Sequence, residues 1–540
     1  MAIRALSVAA LSALVLAPTV LAQGDETASQ SAELSQREIA FHVLNRLAFG
    51  PRPGEVDDVL RRGWMAWVME QLEPSALDDR ELEARLAGHR SLAMSSGQLL
   101  RTYRSIYAGE PTVAEQREQN RLREEVRREI REAVLLRAVF SKRQFQEVMV
   151  EFWRNHFNID QDKDQCQYIC AAYERETIRE HVFGRFEDML MAVARHPAML
   201  IYLDNYLSQK PLSDREKEML ERNKGKDVSG NAYLASLARQ RGLNENFARE
   251  LMELHTLGVI HENQPGGYTQ KDVIEVARAL TGWSISYEGD DLRFSFRDDV
   301  HDANAKTVQV IRYAIGARGG VEEGENVVTK LARHPGTAKL LAFKLCRYLV
   351  NDSPPPGLVD DIAKVYLEND GDLKAVYTAI LFHPQFFRRE NFRVKFKTPF
   401  EFTASALRAT GAEVNEVDGC LRILGQMGQP VFHCVDPTGY YDQAEAWLDP
   451  GVLVYRWQFA LDLAANRVGG VRMPADYFRS ILDKDPKVIQ QRLMETILPG
   501  GVDPDTQRIL DQAMASGGDK HQLAVRLLGM LLGSPTFQQQ

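Results

Sequence analysis

Three stretches of the 540-residue chain concentrate side chains that could move protons or hold a ligand. They are Glu151-Phe-Trp-Arg-Asn155-His156-Phe157, Asn246-Phe-Ala-Arg249-Glu250-Leu-Met-Glu253-Leu-His255, and His301-Asp302 with Lys306 close behind. Glu250, Glu253, His156, His301 and Asp302 are the candidates for acid–base catalysis, since imidazoles and carboxylates exchange protons near neutral pH once their surroundings tune them. Asn155, Asn246, Arg249 and His255 are the candidates for binding. Tyr440 and Trp447 join them from an aromatic-bearing loop that could stack on a ligand or plug down onto the core.

Each cluster also has a structural reading. A helix turns ~100° per residue, which puts Glu253 and His255 about 160° apart, so a regular helix cannot aim both at one ion. His156 falls on the stripe of Phe145, Val148, Met149 and Phe152, and His255 falls with Phe247, Leu251 and Leu254. Histidines on apolar faces are more often hydrogen-bonded core residues than metal ligands. The face carrying Asn246, Arg249, Glu250 and Glu253 reads first as an interhelical ion-pair network. His301 and Asp302 read first as a polar turn after a strand.

No Walker loop, His-Glu-x-x-His or Gly-x-Ser-x-Gly motif occurs, and no Glu-x-x-His pair of the kind a di-iron bundle needs. The sequence therefore leaves the cofactor and the metal unknown. Five cysteines are present. Cys346 lies on an apolar helical stripe as a buried thiol, whereas Cys166 with Cys170 and Cys420 with Cys434 are the disulfide candidates. The Cys166–Cys170 bridge requires a loop there, because helical spacing holds the Cβ atoms too far apart. Zinc on Cys166, Cys170, His433 and Cys434 is the less favoured alternative.

The elements that must position these groups are almost all helical. Residues 1–22 carry Arg4, an apolar run and Val20-Leu21-Ala22, the pattern of a secretory signal peptide. Export to a periplasm or beyond the cell is the expectation. Residues 23–36 read as disordered, and 37–538 as one large mainly α-helical domain with no transmembrane span. Within it lie a polar insertion at 208–245, a β-hairpin in 283–315 and the aromatic loop at 428–451. Thr269 with Asp272, and Thr398-Pro399 with Glu401, mark capped helix starts. Ala194-Arg195-His196-Pro197 recurs as Ala332-Arg333-His334-Pro335, a helix-boundary device. The net charge of −9 disfavours nucleic-acid binding.

The ordered motifs Leu44-Asn-Arg-Leu-Ala-Phe-Gly50, Phe152-Trp-Arg-Asn-His-Phe157, His196-Pro-Ala-Met-Leu-Ile-Tyr-Leu-Asp-Asn205, Asn244 to Gly258, Ala279-Leu-Thr-Gly-Trp283, Lys397-Thr-Pro-Phe-Glu401 and Ser534-Pro-Thr-Phe-Gln538 span almost the whole chain. In them the chain closely resembles a bacterial family catalogued as domain of unknown function 1800. The resemblance implies an exported, largely helical protein and a sulfatase-like exported partner encoded nearby. It brings no reaction and no catalytic residue. Where that family usually carries Pro-Pro and Gly-Trp, this chain has Cys434-Val-Asp-Pro-Thr-Gly-Tyr440. Two functions stay open: a cell-envelope or extracellular binding or scaffold protein, which is favoured, and a secreted metal-assisted or acid–base hydrolase of envelope or extracellular polymers.

Overall fold

A computed structural model describes residues 33–105, 110–224, 242–259, 267–288, 291–515 and 519–540. The expected signal peptide and nearly all of the expected disordered segment lie outside the described residues. Helices dominate, joined by short turns, and the buried apolar side chains from Ala40 to Phe537 form one contiguous cluster. No helix among the described residues is long and apolar enough to cross a membrane.

Local chemistry explains where the helices begin. Thr269 caps Gln270–Ala279 and Thr398 caps Pro399–Ala409, each in a reciprocal capping box with Asp272 or Glu401. The His-Pro repeat is a cap of another kind. Nδ1 of His196 accepts the amide of Ala198 at 3.1 Å, and Nδ1 of His334 accepts that of Gly336 at 3.0 Å. His383 does the same for Gln385 at 3.2 Å ahead of Pro384. The imidazole replaces the usual Ser or Asp oxygen while proline presets the first helical residue. The charge-rich helix Val113–Phe140 is solvated over its first half, with Arg121 paired to Glu118 and Glu125, and it buries Val126, Ile130 and Val134 to Leu136 farther on.

Helices pack in pairs. Pro450–Ala464 lies along Lys520–Gly533, Pro335–Leu349 along Pro356–Glu368, and Glu245–Glu253 along Gln270–Ala279. The first pair is close because Gly529 lacks a side chain. A Cβ there would stand 2.9 Å from a Leu461 methyl. Two motifs that are far apart in sequence also meet. The amide of Lys397 donates to the Gln538 carbonyl at 2.8 Å, and that of Gln540 donates to the Lys395 carbonyl at 2.8 Å. The Lys397 ammonium is buried between Ser405 Oγ (2.9 Å) and the Phe537 carbonyl (2.8 Å).

Three expectations need correction or refinement. The segment 283–315 holds two antiparallel hairpins, Trp283–Glu288 with Asp291–Phe296 and Lys306–Val308 with Tyr313–Ile315. The second was missed because its strands have three residues each, too few for a period to show. The polar insertion contains the capped helix Asp214–Arg222, and residues 225–241 lie outside the described residues. All five cysteines are free buried thiols, so the disulfide candidates Cys166, Cys170, Cys420 and Cys434 are not bridged. Cys166 and Cys170 share the helix Cys166–Tyr173, where Cys170 Sγ lies 3.0 Å from the Cys166 carbonyl. That geometry excludes a bridge between them. Burial pushes the Cys420 thiol up to about 12.

Candidate functional site

The helix Gln144–His156 presents Glu151, Phe152, Asn155 and His156 to a cavity of about 160 Å³. Its other walls are the helix Pro335–Leu349, through Lys344, Arg347 and Tyr348, and the aromatic loop, through Tyr440 to Gln443. A narrow annex of about 30 Å³ adjoins it, lined by Arg154, Asn158, Phe400 and Phe432. A larger open groove, about 930 Å³, runs along Pro486–Ile497, but its ionisable side chains Asp485, Lys487, Glu495 and Asp511 are all exposed. The smaller cavity is the better candidate of the two because partly buried ionisable groups of both signs converge in it.

Its chemistry centres on Glu151. The Tyr348 hydroxyl donates to Glu151 Oε2 at 3.1 Å. Burial pushes the Glu151 carboxyl up to about 7, against the pull of Arg154. A carboxyl with that affinity can both give and take a proton at neutral pH. Lys344 donates from Nζ to His156 Nδ1 at 2.8 Å, and burial brings its ammonium down to about 8.

His156 is thereby committed. With Nδ1 accepting from Lys344, the ring proton sits on Nε2 and points at the His255 carbonyl, 3.3 Å away. Burial, with Lys344 adding, holds the imidazole well below the ordinary histidine range. His255 packs behind it, its ring 5.0 Å from Phe157, and is pushed down to about 3, chiefly by burial. The helix Glu245–Glu253 stops before His255, whose amide reaches back to the Glu250 carbonyl at 3.1 Å. The ring is buried as the wheel predicts, but a turn and not the helix places it.

Asn155 clamps the loop. Its Oδ1 accepts the Tyr440 amide at 2.7 Å and its Nδ2 donates to the Tyr440 carbonyl at 2.7 Å. Tyr440 also donates from its hydroxyl to the Pro430 carbonyl at 2.8 Å, and Trp447 Nε1 donates to the Tyr441 carbonyl at 2.8 Å. These two rings plug the loop down. Gly439 makes the clamp possible: its φ is +77°, and a Cβ there would stand 2.4 Å from the Asn155 carbonyl oxygen. Gly439→Ala is expected to lower stability by roughly 1–3 kcal/mol and to loosen the loop. Chemical denaturation checks the first effect, and amide exchange at residues 436–443 checks the second.

The remaining sequence candidates do not line this cavity. Glu250 is half-buried and raised above the usual range, by burial first and then by Glu253 and Asp436. Glu253 accepts from the Tyr268 hydroxyl at 3.3 Å, Arg249 bonds Gln270 at 2.7 Å, and Asn246 is exposed. The expected ion-pair network on this face is reduced to a loose Arg249–Glu245 contact within the helix, at 3.8 Å. His301 and Asp302 belong to a separate buried group. His301 Nδ1 lies 2.8 Å from the Thr281 carbonyl, Asp302 pairs with Arg278 at 2.7 Å, and Lys306 pairs with Glu323 at 2.5 Å. That group ties the hairpins to the helix Gln270–Ala279.

Asp160, Asp162 and His433 could hold a metal ion, their ligand atoms all within 4.8 Å of one another. His433 Nδ1 stands 3.0 Å from Asp162 Oδ2, and Arg127 already bonds the other oxygen of Asp162. Cys166 and Cys170 take no part, since their thiols face the backbone carbonyls of Ala198 and Cys166.

The family model described as "Protein of unknown function (DUF1800)" matches residues 42–539. The chain belongs to this family. No curated protein and no solved structure matches it. For this DUF1800 protein, then, the site has to be read from its own geometry. Lys344, Arg347 and Tyr348 escaped the sequence reading, and Glu151, which opens the first polar stretch, was not among its candidates. Their signal was present, however: Lys344 and Arg347 interrupt the mostly apolar run from Leu340 to Leu349, a cost that usually has a reason.

Proposed function

We propose that this is an exported protein of the cell envelope or extracellular space that binds a small polar ligand in the Glu151–Tyr348 cavity. The observation that carries the reading is that cavity itself: it holds a partly buried acid, two cations and a clamped loop, whereas the His-Pro motifs cap helices and the His301–Asp302 group is closed in internal pairs. Export rests on the pattern of residues 1–22. The sulfatase-like exported partner implied by the family resemblance completes the reading, with this chain as its binding or scaffold subunit.

One observation favours a second reading. A Glu151 carboxyl at about 7 is poised for acid–base chemistry, which suits a secreted hydrolase. Native mass spectrometry of protein recovered from a periplasmic fraction tests both. The expected result is a mature chain beginning near Gln23 that carries a discrete small adduct, which Glu151→Gln loses. A chain retained in the cytoplasm, or one without any adduct, sinks the binding reading. An adduct that wild type converts and Glu151→Gln accumulates unchanged moves the assignment to the hydrolase.

A further inference from the structure

Lys344 and Arg347 are one helical turn apart on Pro335–Leu349, so their side chains leave the same face, and both reach the cavity. Among the described residues no carboxylate forms an ion pair with either side chain. Lys344 Nζ donates to the neutral His156 ring, and the Arg347 guanidinium lies on the Phe343 ring, 4.3 Å from its centroid. Stacking covers one face of the guanidinium and leaves its edge to bond something else. Arg347 Nε is buried and has no hydrogen-bond partner. Other buried arginine nitrogens, on Arg46, Arg52 and Arg456 among them, also lack an acceptor, and what sets Arg347 apart is its place in the cavity wall beside Lys344, where a ligand can supply one.

The acids in the cavity form no ion pair with these two cations, although Asp442 favours the Lys344 ammonium from beyond ion-pair distance. Glu151 is taken by Tyr348 at 3.1 Å. Asp442 lines the cavity as well, but its carboxylate is not within ion-pair distance of either cation, and its backbone carbonyl accepts from Lys395 at 2.9 Å. A volume of about 160 Å³ holds several waters at roughly 30 Å³ each, or one compact charged group and a short polar tail.

We propose that Lys344 and Arg347 form an oxyanion subsite, so that the ligand of this cavity carries a carboxylate, phosphate or sulfate group held on the guanidinium edge and the lysine ammonium. The inference deepens the binding reading above and rests on the same cavity. Arginine's planar fork matches two oxygens of such a group, and the ammonium adds a point charge. An anion seated there gives the Arg347 Nε its missing acceptor and offsets the cost of holding two unpaired cations at a partly buried wall.

The test is calorimetric titration of the full mature chain with inorganic phosphate, sulfate and D-glucuronate, which separate the three oxyanion types. At least one is expected to bind wild type saturably, with Arg347→Gln and Lys344→Gln each weakening it roughly tenfold or more, the worth of a charge-assisted bond. Arg347→Lys keeps the charge without the fork and covers the case that Arg347→Gln does not fold. Absence of binding by all three anions, or binding that folded variants at both positions leave unchanged, overturns the subsite. The outcome stays distinct from the fate of the binding reading. A native adduct that is uncharged retains the cavity as a ligand site and sinks the oxyanion. Anion binding lost in the Arg347 variants, in a protein that carries no native adduct, retains the subsite and sinks the wider reading.

Discussion

Lowering the pH from 7 to 5 is expected to remove on the order of 3 kcal/mol of folding stability. His42 and His255 are pushed down to about 3, in each case by burial first, and His156 is held well below the ordinary range for the same reason. In the unfolded chain these imidazoles take up protons as the pH falls through ~6.5, while in the folded chain they stay neutral. The unfolded state therefore binds more protons in this window. Stability declines as the pH drops, by roughly 1.4 kcal/mol per pH unit for each such ring. Glu151 acts in the opposite sense. With its folded carboxyl raised to about 7, it takes its proton before the unfolded one does and offsets about one histidine between pH ~7 and ~4.5. Two rings' worth of destabilisation remains, which is large against the ~5–15 kcal/mol that holds a typical domain together. Urea unfolding followed by circular dichroism at pH 7, 6 and 5 measures it. A midpoint that stays flat or rises toward pH 5 means that these rings are not neutral in the folded state.

Glu174→Gln is expected to cost about 3–5 kcal/mol, the usual penalty for breaking one side of a buried ionic group. Glu174 opens the π-helical turn Glu174–Arg179 and is 1% exposed as a side chain. Its two oxygens meet three guanidinium groups: Arg179 at 2.6 Å, Arg154 at 3.1 Å and Arg137 at 3.5 Å. Burial alone would raise this carboxyl, but Arg179, Arg154 and Arg137 together bring it down to about 2. Glutamine keeps the shape and removes the charge, leaving Glu147 as the remaining carboxylate on Arg179 at 2.7 Å. The change also frees Arg154, whose guanidinium stands over the Phe400 and Phe432 rings at the annex of the cavity. Glu176→Gln is the control. Its side chain is 42% exposed, and its removal is expected to change stability by under ~1 kcal/mol. Equal effects of the two variants in chemical denaturation would show that the arginines are satisfied by solvent and not by Glu174.

The helices and their starts were readable because they are local. Thr269 with Asp272 and Thr398 with Glu401 announce their caps within four residues, and the stripe through Phe145, Val148, Met149 and Phe152 announces which side of its helix is buried. The His-Pro boundary was also visible, although the imidazole's role as the capping acceptor was not. Where the reading failed, the deciding contact was remote or the element too short. The hairpin of Lys306–Val308 with Tyr313–Ile315 has no period to detect. The cysteine pairs were suggested by spacing and cancelled by a helix.

Periodicity and capping chemistry were enough to specify a mainly α-helical chain, since they depend on neighbours a few residues away, and the ordered motifs from Leu44 to Gln538 carried the family resemblance. They could not separate a site from a strut. Asn155, His156 and Tyr440 stand beside Glu151, Lys344 and Arg347 only because a loop almost 300 residues downstream is clamped to one helix end, while His301 and Asp302, equally suggestive in one dimension, are closed off against Arg278 and Glu323. Whether a polar group meets a ligand or a partner from its own chain depends on desolvation and counter-charge. Both are set by residues that share space and not by residues that share a stretch of sequence.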